Sequence, residues 1–386
     1  LGKRLDASVK QMVREAVDAA LADAGASVGD VDAAWFSNTR QPMLEGQNTV
    51  RGQIALRPLG FESVPVVNIE NACASGSSAL IQAMAHLRAG MADIALVVGA
   101  EKMVFPDRPE AMAAAFEGGT DIHDMEATKA FVRSLGGDAD DESAGKRSIF
   151  MDLYAAQARA HMDRFGTTQE DFAAIAAKNH THAQHNPLAQ YREPMSIEEV
   201  MADKPIAFPF TRSMCAPLSD GAAAAVVCNA AGLARLAEAR ARAVTVRASV
   251  LRSGVDRETN DFDRHIGRLT ALAAYDQAGL GPEDVDCIEV HDATAYAEVQ
   301  QIENLGLAEP GSVGECLAKG DFALGGRQPV NASGGLLSKG HPVGATGIIQ
   351  LHDLCVQLRG EAGSGQVDNA RIALAENGGG FLRGVV

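Results

Sequence analysis

The residue best placed for chemistry in this chain is Cys73, which stands between a strand-like run, VPVVNIE, and a helix that starts within SGSSALIQAMAHL. Free main-chain amides and the positive end of a helix dipole at such a turn favour a thiolate, and the small neighbours leave space for a substrate. The turn suggests a nucleophilic cysteine; the plain alternative is a buried cysteine that only packs. Further on, NASGGLLSKGHPVGATG places His341 in a loop fenced by Gly340, Pro342 and Gly344, which holds an imidazole rigidly while exposing it. A histidine held in this way can take a thiol proton and later steady an enolate oxygen. His291-Asp292 follow the strand-like DVDCIEV, and Glu376-Asn377 follow RIALA, ahead of Gly378-Gly379-Gly380. Open α/β sheets collect their ligands at such carboxyl ends of strands.

The rest of the composition narrows the partners. The chain has 386 residues, 46% hydrophobic and 22% charged, which is globular rather than disordered. Its 34 basic and 50 acidic residues give a net charge of −16, which argues against a nucleic acid or an anionic membrane and for a small-molecule substrate. No apolar run approaches the roughly 20 residues of a membrane helix, and the opening LGKRLDASVK lacks the apolar segment of a secretory signal, so a cytoplasmic protein is expected. The six cysteines are scattered without a CxxC pair, so neither a metal site nor a disulfide framework is expected. No GxGxxG follows a strand and no GxxxxGK[ST] occurs, which disfavours nicotinamide and nucleotide hydrolysis.

An α/β frame must position these residues. Apolar residues recur at helical spacing over 8–24 (Val9, Met12, Val13, Ala16, Val17, Ala20, Leu21) and stop at Gly25. Short buried-strand runs follow in VDAAWF, VPVVNI and IALVVGA. Three stretches recur in the same order: AGASVGDVD with AGLGPEDVD, Asn71-Ala72-Cys73 with Asn331-Ala332-Ser333, and ADIALVVGAE with ARIALAENGG. Such ordered matches indicate a duplication. The expected division is an N-terminal half over 1–235 and a C-terminal half over 240–386. An insertion at about 103–210, with an acidic loop GGDADDESAGKR and a His-rich helix over 174–185, is expected to cover the site. The second half is expected to open with a strand over 243–251 whose counterpart would fall before residue 1, so a first native strand is expected to be missing.

NACASGSSAL, KGHPVGATG and AENGGG resemble the nucleophile, GHP and final-loop motifs of thiolases, and the resemblance covers almost the whole chain. HDATAYAE resembles the HDCF motif of the sterol-carrier-protein type of thiolase, a group to which KNHTHAQHNPLAQY and PFTRSMCAPLSDGAAAAVV are also similar. The resemblance implies a thiolase fold: duplicated α/β halves in a layered α-β-α-β-α arrangement with a loop-domain insertion. It makes Cys73 the acyl-accepting nucleophile, His341 its activator, and His291 a binder of the thioester oxygen; the amides of Cys73 and Gly378 form an oxyanion hole. Thiolases need a second acid/base, usually a cysteine, but this chain has Ala293 in the HDCF position and no cysteine near 376. Either Glu376 or Asn377 takes that place, and only Glu376 carries a proton at neutral pH.

The implied activity is CoA-dependent thiolytic cleavage of a 3-oxoacyl-CoA, or the reverse Claisen condensation, with coenzyme A as cosubstrate and no other cofactor. A homodimer is implied, and some thiolases of this group pair with a small OB-fold, zinc-ribbon subunit. A retro-aldolase on a CoA ester and a non-catalytic lipid carrier or scaffold are the competing readings. Retention of Cys73 and His341 favours acyl transfer, since aldol cleavage needs no acyl-cysteine.

Overall fold

The computed structural model describes residues 1–137, 148–255, 257–258 and 261–380. The strands are β1 (Ala33–Ser37), β2 (Val66–Ile69), β3 (Ile94–Glu101), a hairpin of β4 (Pro205–Ala207) and β5 (Phe210–Thr211), β6 (Gly221–Cys228), β7 (Cys287–Glu289) and β8 (Ala373–Ala375). The helices that bear on the site are α1 (Val9–Asp23), α2 (Ser75–Arg88), α3 (Ile149–Phe165), α4 (Gln169–Ala183), α5 (Ile266–Ala278), α6 (Ala295–Asn304), α7 (Gly335–Lys339) and α8 (Thr346–Leu358).

The first sheet runs β2-β1-β3-β6, with β1 parallel to both neighbours and β6 antiparallel to β3. Every residue of β1 and β3 is buried, which is why both read as unbroken apolar runs. The period of two sorts their side chains between two helical layers. Ala34, Phe36, Ile94, Leu96 and Val98 meet Met12, Val13 and Val17 of α1. Ala33, Trp35, Ala95 and Val97 meet Ala79, Ala83 and Leu87 of α2, together with Ile348 of α8. A Ser8 capping box starts α1, with Gln11 N–H donating to Ser8 Oγ and Ser8 N–H to the Gln11 side chain.

The second sheet pairs β7 with β8 in parallel, and Val330 adds a single bridge to Ile288. Cys287 faces Leu354 of α8, while Ile288 and Val290 face a core built with α4, α5 and α6. Helices α2 and α8 therefore form a central layer between two sheets, giving the α-β-α-β-α order that the resemblance implies. Among the described residues no helix is long and apolar enough to cross a membrane.

Two expectations need comment. Residues 243–251 form no strand among the described residues, and Val246 and Leu251 remain 39% exposed. The β-branched composition suits a strand, but no described neighbouring backbone takes its amide and carbonyl groups, so composition alone does not make one. The acidic stretch GGDADDESAGKR lies mostly outside the described residues.

Candidate active site

Between β2 and α2 the chain turns so tightly that Ala72 takes φ +45°, a left-handed conformation that residues with a Cβ rarely adopt. Hydrogen bonds hold it there. Asn71 N–H donates to Ser75 Oγ (2.7 Å), Ser75 Oγ donates to the Ala72 carbonyl (2.6 Å), and Asn71 Nδ2 donates to Ser78 Oγ (2.8 Å). Cys73 follows at the entrance to α2.

His341 comes to the same point from the second half. Gly340 at φ +106° lets the chain leave α7, and His341 N–H donates to Ser219 Oγ (3.1 Å). Its Nε2 lies 3.3 Å from Cys73 Sγ and its Nδ1 lies 2.7 Å from Thr346 Oγ1. The Thr346 hydroxyl donates its one proton to the Pro342 carbonyl (3.1 Å), so it accepts from Nδ1–H of His341. That tautomer leaves the Nε2 lone pair facing the thiol.

His291 completes the cluster. Its ring meets that of His341 edge-on, with centroids 5.0 Å apart, and ring nitrogens of both histidines lie with Cys73 Sγ inside 4.8 Å of one another. His291 is 5% exposed, and its Nε2 has no hydrogen-bond partner.

In the final loop Glu376 and Asn377 point to different partners. Asn377 Nδ2 donates to the Cys73 carbonyl (2.9 Å) and to Ser77 Oγ (3.1 Å), which makes it a clamp on the nucleophile turn. Glu376 faces the histidine instead, with Oε2 accepting the main-chain N–H of His291 (3.0 Å). The loop can lie this close because residue 379 is glycine: a Cβ there would stand 2.7 Å from Ala74 N and from the Asn71 carbonyl oxygen. Neither Cys73 N–H nor Gly378 N–H donates to another described residue, so both amides remain available to a ligand oxygen.

Burial sets the proton inventory. It pushes the Cys73 thiol up to about 11, against the attraction of Arg40. Desolvation thus costs the anion more than the turn's dipoles return. Burial likewise holds His291 down at about 4 and His341 well below its ordinary value, where His291 and Arg40 push the same way. Glu376 rises to about 7 through burial, partly opposed by the His291 N–H. At neutral pH the site thus holds a thiol, two neutral imidazoles and a half-protonated carboxyl.

A buried polar frame fixes these groups. Glu101, at the end of β3, accepts from Thr39 N–H, Thr39 Oγ1, Arg40 N–H and Gly344 N–H, joining the loop after β1 to the His341 loop. Asp292 accepts from Leu336 N–H (2.7 Å) and ties the His291 loop to α7. Ser333, the duplicate of Cys73, is spent on structure: it donates to Glu289 (2.6 Å) and accepts from Lys339 (2.7 Å), which also pairs with Asp353. Sequence reasoning missed Thr346, although it lies inside the KGHPVGATG motif, and it missed Arg40, Glu101 and Tyr154. Tyr154 of α3, in the insertion, is raised by burial and then by Cys73 and Glu376.

Residues 1–231 match the thiolase N-terminal domain, and residues 254–385 match the thiolase C-terminal domain-like family. The chain belongs to the thiolase family. It is 36% identical over 383 residues to the acetyl-CoA acetyltransferase of Methanothermobacter thermautotrophicus, covering 98% of this chain and 93% of that one. It is 34% identical over 378 residues to sterol carrier protein 2 of Oryctolagus cuniculus, covering 95% of this chain but only 65% of that protein, so it spans less than two thirds of that relative. The solved Ltp2-ChsH2(DUF35) aldolase shares the fold at a TM-score of 0.75 and 23% identity, covering 99% of this chain and 93% of that one.

Proposed function

We propose that this thiolase-family protein transfers acyl groups between Cys73 and coenzyme A, cleaving 3-oxoacyl-CoA esters or running the reverse condensation. The observation that carries the reading is the 3.3 Å approach of Cys73 Sγ to the free Nε2 of His341, with Thr346 fixing the tautomer. In the cleavage direction His341 Nε2 takes the thiol proton as Sγ attacks the C3 carbonyl. The amides of Cys73 and Gly378 receive the oxyanion. Its collapse breaks C2–C3 and leaves the electron pair on C2, as an enolate whose thioester oxygen faces His291 and the His341 imidazolium.

Glu376 then donates its proton to C2, which completes the first product, the acyl-CoA that keeps C1 and C2, and leaves the shortened acyl group on Cys73. Coenzyme A attacks the acyl-Cys73 thioester, and its thiol proton returns to Glu376. Cys73 leaves as thiolate and recovers its proton from His341, so the proton count closes. The raised thiol and the depressed imidazole agree with proton transfer during attack rather than a resting ion pair. Glu376 at about 7 suits both directions, since donor and acceptor forms coexist near neutrality. Glu376→Gln tests the assignment: Cys73 should still be alkylated by iodoacetamide at the wild-type rate, but cleavage should fall by roughly two to four orders of magnitude.

A homodimer belongs to the same reading. Strand β2 is a sheet edge, and Val67 on it is 41% exposed, an arrangement that a second copy would cover. A separate partner subunit is a further part of it, since the Ltp2-ChsH2(DUF35) aldolase of like fold is a complex of two named components.

A further inference from the structure

We propose that Cys73, His291 and His341 together bind a thiophilic divalent cation, zinc above all, in a three-ligand site that holds the protein off while it is occupied. Tetrahedral zinc takes sulfur at about 2.3 Å and nitrogen at about 2.0–2.1 Å, so its ligand atoms stand roughly 3.3–3.6 Å apart. Cys73 Sγ and His341 Nε2 already stand 3.3 Å apart, and the whole trio fits within 4.8 Å. A small closure of His291 completes the set.

An independent observation points to a ligand. His291 Nε2 is enclosed, has no hydrogen-bond partner, and belongs to a ring pressed edge-on against His341. A buried ring nitrogen without a partner is costly unless something comes to meet it. The surroundings also resemble a metal's outer shell. Thr346 holds His341 Nδ1–H, leaving Nε2 as the donor atom, and the Glu376 carboxyl accepts the main-chain N–H of His291. A divalent cation, one thiolate and two neutral imidazoles carry a net single positive charge, and the nearby Glu376 carboxylate offsets it.

Binding exchanges a proton for a metal: the Cys73 S–H bond breaks, a sulfur–metal bond forms, and the proton passes to solvent. The fourth position stays open to water or to a thioester oxygen. Because the metal and the acyl group both use Sγ, they exclude each other.

The test uses tag-free protein and cadmium chloride, whose bond to thiolate gives an ultraviolet charge-transfer band, with zinc chloride as competitor. One equivalent of cadmium should raise the band, and zinc should remove it. Cys73→Ser should abolish it. His291→Gln should weaken cadmium binding by roughly 100-fold, at the upper end of what disturbing even an outer-shell partner costs. Circular dichroism and the melting temperature establish that each variant is folded, and acylated wild-type protein gives a folded control that should also lose the band. An equal band in Cys73→Ser, unchanged affinity in folded His291→Gln, or no band in the wild type overturns the proposal. The readout needs no turnover, so its failure leaves the acyl-transfer reading standing.

Discussion

The Thr346 hydroxyl lies 2.7 Å from His341 Nδ1 while donating to the Pro342 carbonyl at 3.1 Å, and this pair of contacts leaves the Nε2 lone pair of His341 facing Cys73. With the hydroxyl gone, the imidazole is free to carry its proton on Nε2, where it repels rather than accepts the thiol hydrogen. Thr346→Val should therefore lower kcat by roughly 10–100-fold, the usual cost of losing an orienting partner, with little change in KM. Thr346→Ser keeps the hydroxyl and should restore the rate. A residue that only filled space would show the opposite order, with Val better tolerated than Ser.

The carboxyl of Glu376 gives both directions one pH dependence, because in the proposed cycle each starts from its protonated form. Burial raises Glu376 to about 7, so that proton donor disappears as pH rises through about 7. Cleavage and condensation should therefore both fall over that window, in the ratio the solution equilibrium sets. The sign for stability follows from the same shift. A carboxyl raised above its ordinary value contributes stability that is complete below about 4.5 and is lost as pH climbs through about 7. Glu376→Gln should remove that part of the pH dependence of melting, and an unchanged melting profile would count against a buried carboxyl here.

Cys73 should behave as a buried thiol with a base beside it. Its alkylation by iodoacetamide should climb steadily through neutral pH without levelling, because burial holds the thiol up at about 11. A plateau below pH 7 would reveal a resting ion pair with His341. Removing the imidazole in His341→Ala should slow acylation far more than simple alkylation.

The exposed edge of β2 makes the dimer testable. Val67→Lys places a charge on the strand face that a second copy would cover, and it should shift the protein towards monomer in sedimentation at micromolar concentration. An undisturbed dimer would move the interface elsewhere.

What the sequence revealed follows the reach of its signals. The runs VDAAWF and IALVVGA announce β1 and β3 because both faces of those strands are buried, and helical spacing announces α1. Cys73 and His341 are legible because each sits in a short run of small residues whose purpose is local. Thr346 is five residues from His341, yet its part depends on one hydroxyl proton shared between two acceptors, which no spacing encodes. Tyr154 and Arg40 come to the site from segments whose only link to it is the tertiary fold. The same limit explains residues 243–251, where β-branched composition suggests a strand but a ladder needs a neighbour that the sequence cannot supply. The state of the Cys73 proton was equally hidden, since the balance between desolvation and the turn's dipoles depends on how deeply the thiol is enclosed.

The central claim is that Cys73 carries the acyl group. Protein mixed with a 3-oxoacyl-CoA in the absence of free coenzyme A, quenched within one turnover and digested for mass spectrometry, tests it directly. The expected result is the shortened acyl group on the Cys73 peptide, with one equivalent of the cleaved acyl-CoA released and no adduct in Cys73→Ala. An unmodified Cys73 alongside cleaved product, or an adduct on any other residue, would contradict the account.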